Sequence, residues 1–145
     1  VWLHEHGPRG GDELNKIQPG GNYGWPAITH GMDYSGAYVS PYTEAAGMEQ
    51  PVTYWVPSIA PAGFCEYRGE AFPEWQGDLF VAALVEKSVR RLVLKDGRVQ
   101  SQETLFTEPG ERIREVRAGP DGYLYLLTDS DEGKILLVSP AGKLD

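Results

Sequence analysis

The sequence predicts an all-β chain made of β-propeller blades, and three observations carry that expectation. The second half repeats without a gap. Gly77-Asp78-Leu79-Phe80-Val81-Ala82-Ala83-Leu84 recurs as Gly122-Tyr123-Leu124-Tyr125-Leu126-Leu127-Thr128-Asp129, an offset of 45 residues that also carries Leu92-Val93 onto Leu137-Val138, Gly97 onto Gly142 and Arg98 onto Lys143. A period of about 45 residues holding several short strands is that of propeller blades. The chain is also rich in turn formers, with 18 Gly and 11 Pro among 145 residues. The turn Gly119-Pro120-Asp121-Gly122, placed before an aromatic-rich strand, suits a blade boundary. At this period the chain makes about three blades, whereas closed propellers have about four to eight. The expectation is therefore a part of a larger propeller, its C-terminal part or one piece of a nicked one.

In chain order, Val1 to Glu5 reads as a short strand. Glu5 to Pro26 follows, with six Gly and three Pro in 22 residues, and reads as an irregular loop rather than a helix or strand. Ala27 to Met48 is polar, carries Tyr34, Tyr38 and Tyr42, and reads as a long surface excursion. Pro51 to Trp55 and Ala62 to Tyr67 read as strands, and Phe72 to Gly77 as a turn-rich lead-in to the repeat.

Composition narrows the function. Hydrophobic residues are 41% and charged residues 23%, which is globular. A net charge of −8 argues against nucleic acid or an anionic membrane as the main partner. The lone Cys65 excludes an intrachain disulfide framework. No apolar run is long enough to span a membrane. No signal peptide is visible, and a chain that begins with Val says nothing by this about secretion.

Two constellations carry chemistry. Asp12 and Glu13 stand side by side in the Gly/Pro-rich loop. Carboxylates and carbonyls gathered on irregular backbone suit a hard cation such as calcium, which takes about six to eight oxygen ligands. Arg112-Ile113-Arg114 lies in an expected strand, where residues two apart share a face. Two guanidiniums on one face make a site for carboxylates or phosphates; a solvated strand face is the plainer alternative. Arg90 and Arg91 point to opposite faces. His4-Glu5-His6 has a spacing that can ligate zinc, but no third ligand follows nearby, so packing or hydrogen-bonding roles are expected instead. His30 and the tryptophans read as structural. No phosphate loop, EF-hand loop or nucleophile elbow is present.

Glu5-His6-Gly7-Pro8-Arg9-Gly10-Gly11-Asp12-Glu13, followed by Asn22-Tyr23-Gly24-Trp25-Pro26, resembles the soluble pyrroloquinoline-quinone (PQQ)-dependent aldose sugar dehydrogenases of the glucose/sorbosone dehydrogenase family. The likeness continues through Tyr54-Trp55, Phe72-Pro73-x-Trp75, Arg112-Ile113-Arg114 and Gly119 to Tyr125, so it spans nearly the whole chain.

The resemblance implies the C-terminal part of a six-bladed propeller, with 1–56 a calcium and quinone loop region plus a strand, 57–107 one blade and 108–145 another. It implies that Gly7 and Pro8 hold, by main-chain oxygens, the calcium that activates the quinone, and that Glu13 and Tyr23 hold a second, structural Ca2+. It places Tyr34, Ala83, Leu84, Val85, Arg112, Ile113 and Arg114 against PQQ, the arginines neutralising its carboxylates. The implied activity is oxidation of an aldose at C1 to the lactone, with a separate electron acceptor and a periplasmic or secreted location. The catalytic base lies upstream of this chain in the family, so no catalytic residue is assigned here and the missing N-terminal part becomes an expected partner. Val85 stands where the family usually has Lys; Lys87, two residues on, would share its face in a strand. A non-catalytic, calcium-stabilised binding module is the rival reading.

Overall fold

The computed structural model describes residues 1–142. The last match of the repeat, Lys143, and the end of the expected segment 108–145 lie outside the described residues. The chain divides into two compact units, Val1–Pro61 and Ala62–Asp145.

The first unit is built on a three-stranded antiparallel meander of β1 (Trp2–Glu5), β2 (Asp12–Lys16) and β3 (Thr53–Trp55). β2 corrects the expectation of an irregular loop from Glu5 to Pro26. Asp-Glu-Leu-Asn-Lys has little strand preference of its own. It is extended because it is paired on both sides: Glu13 stands opposite Glu5 of β1 and Tyr54 of β3. Leu14, fully buried, anchors the strand in the core. Between Lys16 and Thr53 the described backbone forms turns and the isolated bridge Met32–Tyr38, with a second bridge from Met32 back to Arg9, in line with a surface excursion.

The second unit holds two sheets. β4 (Pro61–Glu66), β5 (Leu79–Ala83), β6 (Ser88–Lys95) and β7 (Arg98–Leu105) lie in chain order in one. β8 (Ile113–Ala118), β9 (Leu124–Thr128) and β10 (Ile135–Val138) form an antiparallel meander in the other. The 45-residue repeat is visible in the backbone. β5 and β9 begin and end in register, Leu79 with Leu124 and Ala83 with Thr128. The turns before them place Gly77 at φ +82° and Gly122 at φ +81°, a conformation that suits Gly. A short 3-10 turn, Pro73–Trp75, provides the lead-in to β5.

Tyr67, Phe72, Phe80, Ala82, Val89, Ile113, Val116, Leu124 and Leu126 form the core of this unit. Tyr67 is its hub. Its ring meets Phe72, Trp75 and Phe80 edge-on at 5.9, 6.1 and 6.1 Å between centroids. Its hydroxyl donates to the Gly122 carbonyl at 2.6 Å and accepts from the Phe72 N–H at 3.0 Å. Among the described residues no helix is long and apolar enough to cross a membrane.

Candidate functional site

In the first unit the chain leaves β1 at His6, turns through Gly7 to Gly11 and re-enters the sheet as β2. The turn is packed backbone on backbone. A Cβ on Gly7 would stand 2.1 Å from the Gly10 carbonyl oxygen, so no larger residue fits without moving the loop. Asp12 fixes the turn. Its Oδ1 accepts from the Gly7 N–H at 2.9 Å. Its Oδ2 accepts from the N–H groups of Ile59 and Ala60, both at 2.9 Å, and from the Ser58 hydroxyl. Asp12 is fully buried and both its oxygens are committed to protein donors. This corrects its reading as a cation ligand: of the acidic pair, only Glu13 remains available.

Glu13 borders a narrow cleft lined by Glu5, Gly7, Gly11, Glu13, Tyr23 and Thr29 among others, with about 10 Å³ of room, close to that of one water or ion. Glu5 and Glu13 face each other across β1 and β2. Like charges placed directly opposite repel. Asn15, buried on β2, bridges them, its Nδ2 donating to Glu5 Oε1 at 3.0 Å and more weakly to Glu13 Oε2 at 3.4 Å. Burial pushes the Glu13 carboxyl above its ordinary range and the Glu5 charge adds to this, against the Asn15 bond, which lowers it. The Tyr23 hydroxyl is committed, accepting from the Gln18 N–H at 2.7 Å and donating to the Lys16 carbonyl at 3.2 Å. What Tyr23 can offer a cation is its main-chain carbonyl.

The structure thus brings Gly7, Glu13 and Tyr23 to one cleft; Pro8 follows Gly7 in the turn but does not line it. Two facing carboxylates in a space of ionic size fit a hard cation. Among the described residues no group of three or more His, Cys, Asp or Glu could hold a metal, so a cation here would draw on carbonyls and water as well. Glu5 and Asn15 are additions that sequence reasoning missed. The signal was the strand period, which puts Glu13 and Asn15 on one face, but it needed β2 to be recognised. His6 has no metal-ligand geometry: its Nε2 donates to the Pro61 carbonyl at 2.6 Å.

Tyr34 lies elsewhere in this unit, at the tip of a tight turn closed by Asp33, whose Oδ1 accepts from the N–H and hydroxyl of Ser35 at 2.8 and 2.6 Å. Tyr34 is 77% exposed.

In the second unit Arg112 immediately precedes β8 and Arg114 lies within it. Their guanidiniums converge on Asp129, just past β9. Arg112 Nε donates to Asp129 Oδ2 at 2.9 Å; Arg114 donates from Nε at 3.3 Å and from Nη2 at 3.1 Å to Oδ1. The bonds from Arg112, then those from Arg114, hold the Asp129 carboxyl below the usual range. The expected bare cationic face is therefore two cations around one resident anion. Between the arginines, Ile113 turns the other way and is fully buried, so it has only backbone to offer a ligand. Ala83 and Leu84 are likewise buried, while Val85 is 61% exposed. Residues 84–87 form a tight turn with Lys87 at φ +56°. This corrects the expectation that Lys87 shares a strand face with Val85. The donor set of this cluster fits a ligand bearing carboxylates.

Comparison with known proteins gives the family of the chain. The sequence profile of the Glucose / Sorbosone dehydrogenase family matches residues 1–137. The chain belongs to that family. It is 49% identical over 143 residues to aldose sugar dehydrogenase YliI of Escherichia coli (strain K12), covering 97% of this chain and 38% of that protein. A crystal structure of a glucose dehydrogenase superposes with a TM-score of 0.93 at 51% identity, covering 97% of this chain and 41% of that one. The PQQ-bound form of aldose sugar dehydrogenase from Streptomyces coelicolor does so with a TM-score of 0.68 at 27% identity, over 95% of this chain and 39% of that one. The all-β fold built of blade-like sheets is therefore that of a sugar dehydrogenase family, and the chain spans about 38% of the length of the curated relative just named.

Proposed function

We propose that this chain is the C-terminal segment of a PQQ- and calcium-dependent enzyme that oxidises aldoses at C1 to the lactone, and that it contributes the calcium loop and part of the quinone pocket. The observation that carries the reading is the convergence of Arg112 and Arg114 on one spot of the β8–β9 sheet, in a chain of net charge −8. Membership of the glucose/sorbosone dehydrogenase family supports it.

When bound, PQQ supplies the hydride-accepting chemistry and calcium polarises it as a Lewis acid. The chain's own residues bind and orient. Arg112 and Arg114 donate N–H groups to ligand carboxylates and offset their charge. The main-chain oxygens of Gly7 and Pro8 hold the activating cation. Glu13 and the Tyr23 carbonyl hold a second, structural cation, with the Asp12 clamp keeping the turn in shape. Tyr34 offers an exposed ring, and the backbones of Ala83, Leu84, Val85 and Ile113 line the ligand. The base that takes the C1 hydroxyl proton comes from the missing N-terminal part, and the electrons leave to a separate acceptor. A periplasmic or secreted location goes with this reading. One observation favours the rival, a calcium-stabilised module without catalysis: exposed Val85 provides no cationic contact, and the Lys87 backbone lies in a turn.

The test is a quinone titration of the completed propeller carrying Arg112→Ala or Arg114→Ala. Each is expected to weaken binding by about 1.5–3 kcal/mol, the range for a charged hydrogen-bonding partner. Unchanged titrations for both variants would remove the arginines from the pocket.

A further inference from the structure

We propose that Asp129 is a positioning residue of the anion site: it fixes the planes of Arg112 and Arg114 from behind and leaves their remaining N–H groups to the ligand. The proposal rests on the reading that this Arg pair binds the carboxylates of the quinone.

The geometry argues for orientation rather than blockage. A guanidinium has five N–H donors in a rigid fork. Asp129 engages only Nε of Arg112, and Nε and Nη2 of Arg114. The terminal nitrogens of Arg112 and Nη1 of Arg114 are not among the donors that the carboxylate takes. A carboxylate seated at the inner edges of two forks holds both in fixed rotamers. Long side chains 44% and 53% exposed would otherwise lose that freedom on binding a ligand.

Asp129 does not depend on the ligand for its own position. Its main-chain N–H donates to the Arg112 carbonyl at 2.8 Å, continuing the ladder in which Ile113 pairs with Thr128. The backbones of acid and base are thus tied together at the end of the sheet. The repeat adds an indication within the same reading. At an offset of 45 residues Asp129 corresponds to Leu84, which lies in the strand-end stretch assigned above to the quinone. Where the first copy has a buried Leu, the second has a partly exposed acid between two arginines.

Removing Asp129 has two opposed consequences. It removes a negative charge that repels an anionic ligand, and it frees the two arginines. The proposal is that ordering outweighs repulsion. In the propeller completed by its N-terminal part, PQQ and its uncharged trimethyl ester are titrated against wild type, Asp129→Ala, the shape-preserving Asp129→Asn, and Asp129→Ala in an Arg112→Ala/Arg114→Ala background. Asp129→Ala is expected to weaken binding of the triacid about ten-fold or more, to leave the ester unchanged, and to add nothing where the arginines are already gone. Asp129→Asn, which keeps the side-chain shape without the charge, is expected to lose part of the same affinity. Triacid binding that is unchanged or tighter in both Asp129 variants, while the arginine variants weaken it, overturns the positioning role and leaves the pocket reading intact. Equal losses for triacid and ester mean damage to the fold and also overturn it. If the arginine variants bind the triacid like wild type, the pocket reading itself fails.

Discussion

Asp12 and Glu13 look alike in the sequence and do different things in the fold. Neighbouring residues on a strand point to opposite faces. Asp12 turns into the Ser58–Ala60 loop and is consumed by it; Glu13 turns into the cleft opposite Glu5. The acidic pair could be picked out of the Gly/Pro-rich loop in the sequence, but the division of labour between its members could not, because it depends on the strand. Burial and Glu5 raise the Glu13 pKa in the fold. The sign follows: with the folded value above the unfolded one, ionised Glu13 costs the metal-free protein stability. That cost is absent below the ordinary carboxylate range and complete once pH exceeds the raised folded value. A bound cation offsets it. In metal-free protein at pH 7, Glu13→Gln is therefore expected to raise the melting temperature by a few degrees. Calcium should raise it in wild type by mass action, and much less in the variant. A calcium shift of equal size in both proteins would take Glu13 out of the site, as would a metal-loaded wild type whose melting curve is indifferent to chelator.

At the scale of elements, the parts visible in the sequence were those with a local signature. The repeat could be found because β5 and β9 keep one register of Leu, Gly and aromatic residues over their turns. β2 could not, since its extended form comes from β1 and β3 on either side and not from Asp-Glu-Leu-Asn-Lys itself. Nor could the partner of the arginines, because Asp129 meets them only after the chain turns from β8 back through β9. Tyr67 is another element-scale feature that the sequence did not mark. Its hydroxyl joins the turn before β9, through Gly122, to the turn before β5, through Phe72. Tyr67→Phe keeps the ring packing and leaves a buried N–H and a carbonyl without their partner. The expected cost is about 1–3 kcal/mol, read as a lower urea midpoint at unchanged slope. A variant within about 0.5 kcal/mol of wild type, the range of an ordinary surface change, would mean that the two turns hold each other without the hydroxyl.

For the molecule as a whole, three arguments converge on one expectation: the 145-residue chain by itself does not oxidise sugars. The first is extent. The chain covers 38% of the length of its E. coli relative, and the three blade-like sheets among the described residues are fewer than the about four to eight that close a propeller. Apolar side chains on β9 and β10, Leu127, Ile135 and Leu137, are left exposed. The second is the residue set. The positions proposed for the site offer carbonyls, a carboxylate and two guanidiniums, groups suited to binding and orienting; the proposal assigns the base to none of them, and general base catalysis contributes about 10²–10⁴-fold. The third is geometry. A partial pocket does not hold quinone and sugar in register, and orientation contributes about as much as the base or more. Dye reduction with glucose, PQQ and calcium is therefore expected to stay at background for this chain and to rise when the N-terminal part is supplied. Robust turnover by the isolated chain would mean that a base lies within it. His6 is then the first residue to replace, because it is exposed, adjoins Gly7 and has its Nε2 already engaged by the Pro61 carbonyl, which leaves Nδ1 to act.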